Sequence, residues 1–106
     1  NHYIASVLQL GSTTLDCNQY LLSHGKNSVR LNNKEFQLME LFFRHPSNVF
    51  SSDSLMEYVW GLDSEADISV VWTYIGFLRK KMKEISANIE IRTIRGAGYA
   101  LEVLSC

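Results

Sequence analysis

The apolar positions of this chain follow three rhythms in turn. Over the first thirty residues they come in short runs broken by turn formers. Val7-Leu8-Gln9-Leu10 runs into Gly11-Ser12, Thr14-Leu15-Asp16 into Cys17-Asn18, and Tyr20-Leu21-Leu22 into Ser23-His24-Gly25-Lys26-Asn27. Ser28-Val29-Arg30-Leu31 closes the set. Turn formers every few residues leave a helix no room to propagate, so the pattern predicts four short strands in a small antiparallel sheet.

From Asn32 the period lengthens. Asn32-Asn33-Lys34-Glu35 has the form of a capping box, with Asn32 as the cap and Glu35 three residues on. Phe36, Leu38, Met39, Leu41, Phe42 and Phe43 follow at helical spacing until Pro46 stops the run, and His45 before it reads as a cap at the helix end. Ser51 is placed to cap a second helix, whose stripe of Leu55, Met56, Val59 and Trp60 ends at Gly61. On a third helix, Val71, Ile75, Leu78 and Met82 share one face at spacings of four, three and four. Trp72 and Tyr74 flank that stripe, and the opposite face carries Ser69, Thr73, Gly76, Phe77, Lys80 and Glu84.

The third rhythm is alternation. Ile89 to Val103 reads as two strands around Arg95-Gly96-Ala97-Gly98, whose glycines allow the backbone angles of a hairpin turn. The predicted fold is α+β, a winged helix-turn-helix. It has an N-terminal four-stranded antiparallel sheet, three helices and a C-terminal β-hairpin wing, all in one domain over residues 1–106.

Charge sharpens this picture. The net charge of −1 alone argues against a nucleic-acid partner, but six of the ten Lys and Arg residues fall between Arg79 and Arg95. The stretch from Asp53 to Asp67 holds five acids and no Lys or Arg. Charge segregated in this way suits a molecule with one face for phosphates and another for a different partner. Part of the basic cluster also has a structural use, because Lys80, Lys81 and Lys83 complement the negative end of a helix dipole.

Other chemistry finds little support. His2, His24 and His45 lack metal-ligand spacing, no Ser/His/Asp or Cys/His arrangement is suggested, and no carboxylate pair stands in an apolar setting. Gly96-Ala97-Gly98 sits in a hairpin rather than between a strand and a helix, so it is not a nucleotide loop. The reading is of a non-enzyme without cofactor or metal. Cys17 and Cys106 are too few for a disulfide framework, and no run is long enough for a membrane span or leader, which points to a reducing cytoplasm. A start at Asn1 rather than Met suggests a piece of a longer protein.

Several blocks together resemble the DNA-binding output domain of the OmpR/PhoB family of bacterial two-component response regulators. They are Leu31-Asn32-Asn33-Lys34-Glu35-Phe36-Gln37-Leu38-Met39, His45-Pro46-Ser47-Asn48-Val49-Phe50-Ser51, Leu55-Met56-Glu57-Tyr58-Val59-Trp60-Gly61, Leu78-Arg79-Lys80-Lys81 and Ile91-Arg92-Thr93-Ile94-Arg95-Gly96-Ala97-Gly98-Tyr99. They follow the family's order and spacing from about residue 7 to residue 103. The resemblance implies a transcription regulator whose receiver domain, absent here, is phosphorylated by a sensor kinase. Output domains of that family occupy tandem direct-repeat half-sites on double-stranded DNA, with the third helix in the major groove and the wing in the minor groove. It marks Gly61, Leu62, Asp63, Ser64, Glu65 and Ala66 as a loop where family members contact RNA polymerase. The DNA-contacting residues it implies, together with the outward face of the third helix, are Trp60, Ser69, Thr73, Tyr74, Phe77, Arg79, Lys80, Lys81, Thr93 and Arg95. Tyr99 is expected to pack on the sheet or the third helix.

The chain departs from the family at the point of base reading. Gly76 and Phe77 stand where relatives of the phosphate regulator carry an Arg-Arg pair, so the bidentate grip on guanine is missing. Readout then leans on Thr73, Tyr74, Phe77 and Lys80, with apolar contact to thymine methyls as one means. A second reading, a winged helix kept as a protein-interaction module without specific DNA binding, draws on the near-neutral charge and the same missing arginines.

Overall fold

The computed structural model describes residues 7–61 and 65–104. Its first layer is the meander β1 (Val7–Leu10), β2 (Thr13–Asp16), β3 (Leu21–His24) and β4 (Asn27–Arg30), antiparallel and paired in chain order. Leu15 and Leu22 face each other across the central pair and are both fully buried. The strands differ from the expected ones at their ends. Ser23, His24 and Asn27 belong to strands, and only Gly25 and Lys26 turn between His24 and Asn27. So tight a hairpin requires positive φ, which Gly25 supplies at +61°. Tyr20 lies outside β3 with φ +55°. Its carbonyl accepts from the Leu31 amide at 2.8 Å and its ring stacks on Phe36 at 4.1 Å, so it clamps the sheet onto the first helix.

The helices are α1 (Asn33–Arg44), α2 (Ser52–Val59) and α3 (Ser69–Glu84). The capping box is formed as expected. The Glu35 amide donates to Asn32 Oδ1, and the Asn32 amide donates to Glu35 Oε1, both at 2.9 Å. Phe36, Leu38, Met39, Leu41, Phe42 and Phe43 are all buried. His45 is the C-cap, its amide donating to Phe42 O, with its ring edge-on to Phe50. Ser51 Oγ accepts from the Ser54 amide and starts α2. Val71, Ile75, Leu78 and Met82 form the buried stripe of α3, and with α1 and the inner faces of both sheets they make one core.

The wing is β5 (Ile89–Ile94) and β6 (Gly98–Val103), turning through Arg95, Gly96 and Ala97. It has a neighbour that the sequence pattern does not announce. The segment after α1 lies along β6, with Phe50 and Tyr99 exchanging backbone hydrogen bonds at 2.8 Å and the Ser47 amide donating to Leu101 O. This contact explains Gly98. Its φ is +143°, and a Cβ placed there would lie 2.0 Å from the Phe50 carbonyl oxygen. At its other end the wing meets the first sheet through Asn88, whose Oδ1 accepts from Thr13 Oγ1 at 2.9 Å.

Candidate nucleic-acid interface

Burying Val71, Ile75, Leu78 and Met82 fixes what the other side of α3 presents. Thr73, Gly76, Phe77 and Lys80 are exposed along it, with Ser69 half-buried at its start and Glu84 exposed at its end. An aromatic ladder braces this face. Trp60, at the C-cap of α2, meets Tyr74 edge-on at 5.2 Å, and Tyr74 meets Phe77 edge-on at 5.4 Å. Trp60 and Tyr74 are half-buried in this contact, and the Lys34 ammonium sits over the Trp60 ring. Phe77 is 45% exposed although it is one of the largest apolar side chains in the chain. Its orientation is set by Tyr74, so the ring is held out into solvent rather than collapsed onto the surface.

The three consecutive basic residues of α3 separate by direction. Lys80 points outward, and no ion pair engages it among the described residues. Arg79 turns toward the wing. Its Nε and Nη2 donate to Ile91 O at 3.1 and 2.9 Å, Nη2 donates to Thr93 Oγ1 at 2.8 Å, and the guanidinium lies over the Tyr99 ring. Tyr99 thus packs on α3, as the sequence leads one to expect. Lys81 turns the other way, to the base of α1. Its Nζ pairs with Glu35 Oε1 at 2.5 Å and donates to Arg30 O at 3.0 Å, while Glu35 is only 2% exposed. The carboxylate that closes the α1 capping box is therefore neutralised by α3, as a buried charge requires.

On the wing, Arg92 pairs with Glu102 across the strands, and that hydrogen bond raises the guanidinium above its ordinary range. Arg95 is exposed at the tip and enters no ion pair among the described residues. Thr93 is exposed beside it, its hydroxyl occupied by Arg79. Of the six basic residues from Arg79 to Arg95, Arg79, Lys81 and Arg92 have partners within the protein, and Lys80, Lys83 and Arg95 enter no ion pair among the described residues.

Trp72, which the sequence places beside the buried stripe, is missing from the residues expected to contact DNA. It is 52% exposed at the edge of the same face, with its indole N–H donating to Ser52 Oγ at 3.2 Å. Its position one step off the buried stripe is visible on a helical wheel, but its tie to α2 is not. In the loop after α2, Gly61 takes φ +90°, Glu65 is exposed and Ala66 is half-buried. Leu62, Asp63 and Ser64 lie outside the described residues, as do His2 and Cys106.

Elsewhere the surface offers less chemistry. Burial, and after it the Glu40 carboxylate, pushes the Cys17 thiol above its usual range, so it stays protonated at neutral pH and is a poor nucleophile. No three His, Cys, Asp or Glu side chains gather as a metal site among the described residues. Among them, too, no helix is long and apolar enough to cross a membrane.

A meander, three helices and a terminal hairpin, with the third helix exposed along one face and the hairpin fastened beside it, define a winged helix-turn-helix. Residues 25–101 match the family described as transcriptional regulatory protein, C terminal, and the chain belongs to that family. It is 39% identical over 98 residues to the transcriptional regulatory protein DltR of Streptococcus agalactiae serotype III, a match covering 92% of this chain and 44% of DltR. The chain therefore spans less than half the length of that relative. Among solved structures, the DNA-binding domain of E. coli CadC superposes with a TM-score of 0.82 at 27% identity, covering 93% of this chain and 94% of that one. The C-terminal domain of the nisin resistance regulator NsrR, a lantibiotic response regulator, gives 0.77 at 33% identity and covers 92% and 99%.

Proposed function

We propose that this chain is the DNA-reading output domain of a two-component response regulator, with α3 in the major groove and the wing tip in the adjacent minor groove. The observation that carries the reading is the rigid seating of the wing beside α3. Arg79 holds Ile91 O and Thr93 Oγ1 to the helix through Nε and Nη2, which fixes the wing against α3 so that the two can enter neighbouring grooves together. Thr73, Tyr74, Phe77 and Lys80, with Ser69 at the helix start, then face base edges. Lys80 and Arg95 supply phosphate or minor-groove contacts, and Trp60 and Thr93 lie at the margin where phosphates pass. Arg79 and Lys81 act by positioning: the first sets the wing and the second sets α1.

The family membership and the likeness to the DNA-binding domain of CadC support this reading. The whole protein would add a receiver domain phosphorylated by a cognate kinase, act on direct-repeat half-sites in the cytoplasm, and meet RNA polymerase through residues 61–66. Binding to DNA chosen from a random pool, titrated at two salt concentrations, tests the proposal. A reader of DNA shows a log–log slope of about −0.9 for each phosphate neutralised. No enrichment and no salt dependence would instead favour the protein-interaction module.

A further inference from the structure

Gly76 has no purpose inside the protein. It lies in the middle of a sixteen-residue helix, where glycine is a poor helix former, and a Cβ added to it meets nothing within 4 Å. No turn, close helix packing or positive φ requires it, in contrast to Gly98. Its neighbours on the outward face are Thr73 three residues before, Phe77 beside it and Lys80 four residues after. At ~100° per residue these side chains surround a bare patch of helix backbone.

The side chains around that patch are unusual for a base reader. α3 contains no Asn or Gln, and its one arginine, Arg79, is turned away to the wing. The bidentate partners of adenine and guanine are therefore absent from the outward face. What remains is a threonine methyl, an exposed phenyl ring braced by Tyr74, and an amine. Threonine methyl and phenyl are the groups that pack against the C5-methyl of thymine.

We infer that α3 reads thymine methyl groups at close range, with Thr73 and Phe77 making the apolar contacts and the missing side chain of Gly76 letting the helix backbone approach the groove floor. This rests on the proposed DNA-reading function and adds to it the class of sequence read: steps rich in thymine under α3, in place of guanine held by arginine. Replacement of thymine by uracil removes the methyl and leaves every hydrogen-bonding edge unchanged, so it isolates this contact.

The test uses duplexes that the chain itself selects from a random pool, resynthesised with uracil for thymine at one position at a time. Positions under α3 should lose about fourfold in affinity per methyl removed, the weight of one buried methyl group. Gly76→Ala should raise Tm by roughly 4 °C or more through better helix propensity, yet weaken binding to the same duplex by roughly tenfold through overpacking. Unchanged affinity for every uracil-substituted duplex, with DNA binding otherwise intact, overturns the inference and leaves the proposed function standing. Gly76→Ala that binds as tightly as the parent overturns the close approach. Failure to select any DNA overturns the proposed function itself, and this inference with it.

Discussion

At the residue scale, three adjacent basic side chains illustrate how little local sequence says about direction. Arg79, Lys80 and Lys81 look equivalent as a run, and the resemblance marks all three for DNA. On the helix they are about 100° apart, so they cannot share one face. Lys80 faces out, whereas Arg79 and Lys81 lie on opposite flanks of the buried stripe, toward the wing and α1. The wheel contains that divergence, but the partner that decides the role of Lys81 is Glu35, forty-six residues earlier. Lys81→Met should therefore lower stability by about 3 kcal/mol, because it strands a nearly buried carboxylate. A urea midpoint unchanged by the substitution, with DNA affinity lost, would assign Lys81 to a phosphate instead. Arg95→Ala should act differently. It leaves folding alone, weakens binding to all sequences alike, with some added loss at A·T-rich flanks, and lowers the salt slope by about 0.9.

At the scale of elements, most of the architecture was legible because burial imposes a period. The α1 capping box, the four-three-four spacing on α3 and the alternation of the hairpin each carry their own signal. The Phe50 bridge to the wing carries none, because one pair of backbone hydrogen bonds needs no periodic side-chain pattern. The same is true of the Arg79 clasp, which fastens to the Ile91 carbonyl and the Thr93 hydroxyl, neither of which a periodic pattern singles out as its partner. The β3–β4 turn is shorter than the sequence suggests for a related reason: polar Ser23, His24 and Asn27 resemble loop residues, yet they pair at the end of the hairpin. Gly98→Ala tests the bridge. A Cβ cannot coexist with Phe50 O, so the variant should lose at least ~2 kcal/mol, and a Tm equal to that of the parent would mean the wing is not docked there. Arg79→Ala should loosen the wing without unfolding the domain. Amide exchange along β5 and β6 should rise roughly fivefold, for ~1 kcal/mol of lost tethering, while α1 exchanges as before.

For the whole molecule, the apolar stripe of each helix is used up in one core, and the exposed large apolar residues, Val7, Val49, Tyr58, Trp72, Phe77, Val103 and Leu104, form no stripe at helical spacing. Among the described residues nothing resembles a dimer seam, so this chain should sediment as a monomer at micromolar concentration. Single half-sites should bind poorly, and two copies joined in tandem should favour direct repeats about one helical turn apart over inverted ones. A stable dimer, or preference for an inverted repeat, would overturn that arrangement. The central claim is narrower: α3 and the wing tip meet DNA together, held in register by Arg79. Amide chemical shifts recorded while a selected duplex is titrated into the labelled chain test it most directly. The account predicts that perturbations gather on residues 69–80 and 92–97 and leave β1 to β4 quiet. Perturbations centred on the N-terminal sheet, or absent from the wing, would contradict it.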